Sequence, residues 1–419
     1  MAQRRAASSD RWREDRFRQI HGAASELVAG LVIKSLDEQR ANRAVEEVPL
    51  LTRRGWIPSQ PLSVDRVRLK YAPPGGDRFT EAKSVLAPYW PRIDGMRVPT
   101  YSAAVKQFAQ PQHFFDGASF RLLGFDSVPG DSYGGRTELT FTRGSYYDWY
   151  DSGEALSYEA ALRYKESGGA TVSGRYREWL ASPFDFARRC AIPGVNTLTV
   201  RTSGRGSDFY LHRRTHVATA RGTVHVVPAG EFQPSGGHPG DEAHGGEDLD
   251  LKSTIIREYA EELLGAPDVN NPQAHHDPID FAALYADVES ALRGGGARLH
   301  YLGTGLYPLT WKPEILMVCV FEDRLFDQVF ADMERSVDEG DLEGPGGRPL
   351  TDADRLPGAR NFLFGRKQRP YQGLPFNEET VQGYANDPTT LPAGRACLKL
   401  AWQHREFLNI RVAPWRPRA

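Results

Sequence analysis

The sequence predicts an α/β protein in two parts: an α+β N-terminal module over residues 1–190, then an α/β sandwich over residues 195–410. Three observations point there. The chain has 419 residues, enough for two domains of ordinary size. Past position 195, short alternating runs give way to a long amphipathic segment, another helix and two strands, an order that suits an α/β sandwich. The composition is that of a globular protein, 40% hydrophobic and 25% charged with a formal net charge of -2, which excludes an overall basic nucleic-acid binder.

Residues 10–44 lack proline and repeat apolar residues at three and four spacing, which predicts one or two helices with breaks at Gly22 and Gly30. Val64–Tyr71 largely alternates, as a half-buried strand does, before Pro73, Pro74, Gly75 and Gly76 turn the chain. Ser119–Gly124 and Glu138–Thr142 add strands, and the module ends near Pro193–Gly194. Beyond it, Thr197–Thr202, Phe209–Arg214 and Thr223–Val227 predict a three-strand meander that runs into Pro228-Ala229-Gly230-Glu231. A loop rich in glycine, histidine and acid delays a helix at Leu251–Leu264. A helix at Phe281–Arg293, strands at Ala297–Gly303 and Glu314–Glu322, and a polar insert at Asp338–Leu356 follow. The last helix, Ala393–Leu408, turns Leu398, Leu400, Ala401 and Phe407 inward.

The helix at Leu251–Leu264 carries the chemistry. At about 100° per residue, Leu251, Ile255, Tyr259 and Leu263 form one apolar stripe, and Glu258, Glu261 and Glu262 share an arc beside it. Like charges at such spacing repel by a few tenths of a kcal/mol per pair, and only Arg257 balances them. Two readings follow: a solvated acidic face, or a carboxylate set for a hard cation such as Mg2+ (or Mn2+). Such an ion polarises a phosphoryl oxygen and activates water.

Pro228-Ala229-Gly230-Glu231 after a strand, followed by Arg257-Glu258-Tyr259-Ala260-Glu261-Glu262-Leu263-Leu264-Gly265, resembles the Nudix hydrolase family over roughly residues 195–410. The resemblance implies a Nudix-like α/β/α sandwich with a mixed sheet. It also implies metal binding by Glu258, Glu261 and Glu262, with Arg257 orienting them and Gly230 in the substrate-facing turn. Three departures stand out. Residues 233–246 look like an insertion, Leu249 occupies the place of a further box glutamate, and Gly265 lies one position late. Glu247, Asp248 and Asp250 are near Leu249 but out of register. The implied activity is metal-dependent hydrolysis of a nucleoside-diphosphate-linked small molecule. Loss of the glutamate at Leu249 favours the alternative, a catalytically weakened sensor or regulator that binds a nucleotide metabolite.

Among other residues, Arg366 and Arg369 in a short basic run could hold substrate phosphates, against the alternative of a solvated loop. Tyr146–Asp151 reads either as a base-stacking platform or as core packing, the second being the commoner use of large aromatics. His238, His244, His275 and His276 lack metal-ligand spacing. Cys190, Cys319 and Cys397 fit a reduced compartment, and the polar start and lack of a long apolar run predict a cytoplasmic protein off the membrane. No helix-turn-helix supports a nucleic-acid partner. The oligomeric state stays open, with a homodimer among the options.

Overall fold

The structure is a computed structural model of the chain and describes residues 13–24, 28–43, 48–73, 75, 80–93, 96–111, 114–131, 134–215, 222–234, 248–267, 281–337, 340–356 and 369–414. A seven-stranded mixed sheet organises the second half. Its strands lie in the order Leu62–Ser63, Ala297–Leu306, Pro313–Glu322, Gly194–Ser203, Gly206–Phe209 and Leu374–Pro375, and Ala229–Glu231 pairs with the start of Gly194–Ser203. Pro313–Glu322 and Gly194–Ser203 run parallel; the other pairs are antiparallel.

The central strand shows how the sheet is covered. Ile315, Met317, Cys319 and Phe321 join the core beneath Ile255, Tyr259 and Leu263, whereas Leu316, Val318 and Val320 join a second core with Ala396 and Leu400. A strand buried on both faces reads as a continuous apolar run, here Ile315 to Phe321. Helices Leu251–Leu264, Phe281–Arg293 and Asp323–Val329 therefore pack on one face, and Pro392–Gln403 on the other. The protein is mixed α/β.

Two smaller sheets flank this one. Val224–Val226, Leu211–Arg214, Gly340–Leu342 and Ser336–Val337 make a four-stranded sheet, and Val67–Tyr71, Gly134–Ser145 and Ala118–Asp131 a three-stranded one. Several connections cross the expected boundary near Pro193. Leu62–Ser63 is an edge strand of the large sheet, Phe120 donates its N–H to the Phe232 carbonyl at 3.0 Å, and Lys252 pairs with Asp65 at 2.8 Å. Phe17, Trp90 and Phe141 share one core cluster with Tyr259 and Phe321.

Several local expectations change. Phe209–Arg214 is not one strand: the chain leaves the large sheet at Phe209 and enters the four-stranded sheet at Leu211, so the simple meander is replaced by a switch between sheets. Tyr210 marks the switch, its N–H donating to the Thr199 carbonyl at 3.1 Å and its hydroxyl to the Tyr371 carbonyl at 3.0 Å. Gly22 and Gly30 lie inside helices, at residues 13–24 and in Val28–Glu38. The last helix ends at Gln403, and Phe407 is 47% exposed; Leu408 and Ile410 fill the core instead. Tyr146–Trp149 is a helical turn that runs through a π turn, Tyr150–Glu154, into the helix Ala155–Glu166. The three cysteines are free and buried, and no described helix is long and apolar enough to cross a membrane.

Candidate functional site

Three side-chain contacts bring the Pro228-Ala229-Gly230 corner to the glutamate helix. Tyr259, on the apolar stripe, shares a 2.8 Å hydrogen bond with the Thr199 hydroxyl, which also lies 2.6 Å from the Val227 carbonyl just before the corner. One residue of the strand Gly194–Ser203 thus fixes both pieces. The Ala229 N–H donates to Glu262 Oε2 at 2.9 Å, tying corner to helix directly. Gly230 then lies flat against Glu258: a methyl group there would sit 2.0 Å from the Glu258 carboxyl carbon. Only glycine lets that carboxylate reach its place.

The structure divides the arc of three carboxylates. Glu258 and Glu261 line a cleft of about 450 Å3. Glu262 turns away, 2% exposed, held by the Ala229 N–H with His212 Nδ1 at 4.0 Å. Adjacent residues on a helix diverge by about 100°, so Glu261 and Glu262 serve different surfaces. Arg257 orients the pair in the cleft: its Nη2 donates to Glu258 Oε1 at 3.2 Å, its Nε lies 3.9 Å from Glu261 Oε1, and its Nη1 donates to the Gln233 carbonyl at 3.3 Å.

Leu249 is half-buried and packs on the apolar core. The nearby Asp250 is the helix N-cap, accepting from the N–H groups of Lys252 at 3.2 Å and Ser253 at 2.9 Å. That carboxylate is committed to the orphan donors of the first turn, about 12 Å along the axis from Glu258. Gly265 takes a left-handed φ of 70° and ends the helix as its C-cap, which accounts for its position after Leu264. Glu247, His238, His244, His275, His276 and Arg366 lie outside the described residues. Arg369 is placed away from the cleft, 3.6 Å from Asp327.

Sequence reasoning missed the opposite wall. On three adjacent strands Glu231, Gly194 and Glu314 stand in register, and a methyl group on Gly194 would lie 2.5 Å from Glu314 Oε2. A second glycine therefore makes room for a second carboxylate. Lys312 reaches Glu231 at 3.0 Å and lies 4.6 Å above the Trp149 ring, a cation–π contact supplied by the first half of the chain. Glu154, from the π turn, completes this wall and accepts a 2.7 Å hydrogen bond from the Ser157 hydroxyl.

The electrostatics follow from this crowding. Burial pushes the Glu314 carboxyl up to about 7, against the opposing pull of Lys312 and of the Asn196 amide, which donates to Glu314 at 2.8 Å. Burial likewise raises Glu154 to about 7, the Ser157 hydrogen bond opposing it. Burial acts to lower Lys312, but Glu231 and Glu314 outweigh it and hold the ammonium above its ordinary value. Behind Glu314, burial keeps His225 well below its usual range and hence neutral. Since the Asn196 amide nitrogen faces Glu314, its oxygen accepts from His225 Nε2 at 2.8 Å. The sequence carried no local signal for this row, because its members lie on separate strands.

Among the described residues no group of three or more His, Cys, Asp or Glu side chains is arranged to hold a metal. The helix wall of the cleft supplies two carboxylates, and Mg2+ is commonly held by one or two carboxylates with water and substrate phosphate oxygens filling the other positions. Glu258, seated over the bare Cα of Gly230, and Glu261 fit that partial set; they do not form an all-protein cage. No protein-family model matches the chain, and no curated protein matches it at a significant level.

Proposed function

We propose that the chain is a Nudix-type α/β/α domain that binds a nucleoside-diphosphate-linked small molecule in this cleft and hydrolyses its phosphoanhydride bond. The observation that carries the reading is the seating of Glu258 on Gly230, which brings the Pro-Ala-Gly corner against a helix carboxylate that lines the cleft. Glu258 and Glu261 would hold Mg2+ (or Mn2+), which supplies phosphoryl polarisation and an acidified water when bound. Arg257 fixes the two carboxylates, and Lys312 presents a positive charge to a substrate phosphate. Glu314 and Glu154, both near 7, hold or release a proton at neutral pH, which is the range a general base needs.

A second reading has its own support. Glu262 is occupied by Ala229 and Leu249 carries no carboxylate, so a sensor that binds such a ligand without turnover remains the alternative. The test is release of phosphate or nucleoside monophosphate from nucleotide sugars, dinucleotides and ADP-ribose with Mg2+ or Mn2+. Hydrolysis is expected, with at least a hundredfold loss in Glu258→Gln and Glu261→Gln. Thermal stabilisation by the same compounds without turnover would make the protein a sensor. Absence of both turnover and stabilisation would overturn the nucleotide reading.

A further inference from the structure

A second pocket, of about 680 Å3, lies in the first half of the chain and shares no lining residue with the cleft. Six arginines line it: Arg13 and Arg16 from the helix at 13–24, Arg92 and Arg97 from a short hairpin, Arg163 from Ala155–Glu166, and Arg175 from Arg175–Leu180. Among the described lining residues only Glu166 and Glu178 oppose them, a surplus of four positive charges in a chain of net charge -2.

The surplus is built into the fold. Glu166 is shared by two of the cations, Arg16 at 2.5 Å and Arg163 at 3.1 Å. The hairpin pairs Arg92 directly opposite Arg97, and like charges facing each other across a strand pair destabilise it. Arg97 is fixed by donating to the Ala87 carbonyl at 2.7 Å. Among the described residues the side chains of Arg92 and Arg175, both exposed, have no hydrogen-bond or ion-pair partner. Beneath them Phe17, Trp90 and Tyr158 form a buried floor, with Phe17 stacked on Tyr158 at 5.3 Å and Trp90 set edgewise to Tyr158 at 5.3 Å.

We propose that this pocket binds a small molecule carrying two or more phosphate groups. Guanidinium forks match phosphate oxygens in pairs, and a ligand with several negative charges relieves the repulsion between Arg92 and Arg97. The pocket has the volume of a small-ligand site. A polynucleotide would instead call for a cationic track running along the surface.

The test titrates the full-length chain with sodium pyrophosphate by calorimetry, at constant ionic strength and with chelator present so that divalent-dependent binding does not contribute. Saturable binding is expected, at least tenfold tighter than orthophosphate. It should fall at least tenfold in Arg92→Ala/Arg175→Ala and stay unchanged in Arg324→Ala, an exposed arginine on Asp323–Val329. Because Arg92 and Arg175 are exposed and Arg92 repels Arg97, the double variant should melt no lower than the wild type, which separates lost contacts from lost folding. Absent binding, or binding indifferent to the double variant, overturns the proposal. A single-stranded oligonucleotide that displaces pyrophosphate and binds far more tightly overturns it in favour of nucleic acid.

Discussion

The two walls of the cleft are built in opposite ways. On one, Arg257, Glu258 and Glu261 come from a single turn and a half of helix; on the other, Glu231, Glu314 and Glu154 come from two strands and a π turn, with Lys312 among them. The helix wall has its charges placed by local periodicity. The strand wall has them placed by register between segments up to 160 residues apart, counting from Glu154 to Glu314. Yet each uses the same device, a carboxylate laid over a glycine: Glu258 over Gly230 and Glu314 over Gly194. A carboxylate near a backbone without a side chain is the shared structural requirement, whatever the route by which the chain supplies it.

The largest expected effect is on the strand wall. Lys312→Met leaves Glu231, Glu314 and Glu154 without their ammonium and should cost about 3 kcal/mol at pH 8, read by denaturant unfolding. At pH 5 the cost should shrink, because Glu314 and Glu154, raised to about 7, are then protonated. Equal costs at both pH values would show that the strand wall is not an electrostatic unit. The next effect concerns Glu314 alone. Its folded-state value lies above the unfolded one, so the native state binds the proton more tightly and stability falls as pH rises from about 4.5 to about 7. Glu314→Gln removes that slope, so the variant should gain up to about 3 kcal/mol on the wild type between pH 4.5 and pH 8. A parallel pair of stability curves would contradict this.

The smallest effect sets the two glycines against each other. In Gly230→Ala the new methyl meets the carboxyl carbon of Glu258, which Arg257 holds, and overpacking of this kind costs about 1–3 kcal/mol. In Gly194→Ala the close contact is with a terminal oxygen of Glu314, the far end of a flexible side chain, so the cost should be about 1 kcal/mol, mostly the Asn196 hydrogen bond it disturbs. Melting temperatures in the reverse order would show that the helix wall is the more yielding of the two.

Much of the fold was legible because it rests on periodicity. The stripe Leu251, Ile255, Tyr259 and Leu263 is buried as expected, and the runs at Ala297–Leu306 and Pro313–Glu322 are strands. The switch at Tyr210 was not legible, since a run from Phe209 to Arg214 looks the same whether it stays in one sheet or changes sheets. Phe407 was misplaced because the helical pattern was carried past Gln403, where the chain turns and Leu408 takes the apolar position. For the site, the spacing of Glu258, Glu261 and Glu262 was visible, but not that Glu262 faces the Ala229 N–H.

What the sequence by itself determined is which residues lie on which side of each helix and strand, because side-chain direction follows from a rotation per residue that needs no partner. Tertiary structure alone decided which of these surfaces meet. The register of Pro313–Glu322 on Gly194–Ser203, and the packing of Trp149 against Lys312, are set by how buried apolar faces fit together across the whole chain. That fit is a sum over many distant contacts, and no short stretch of residues contains it.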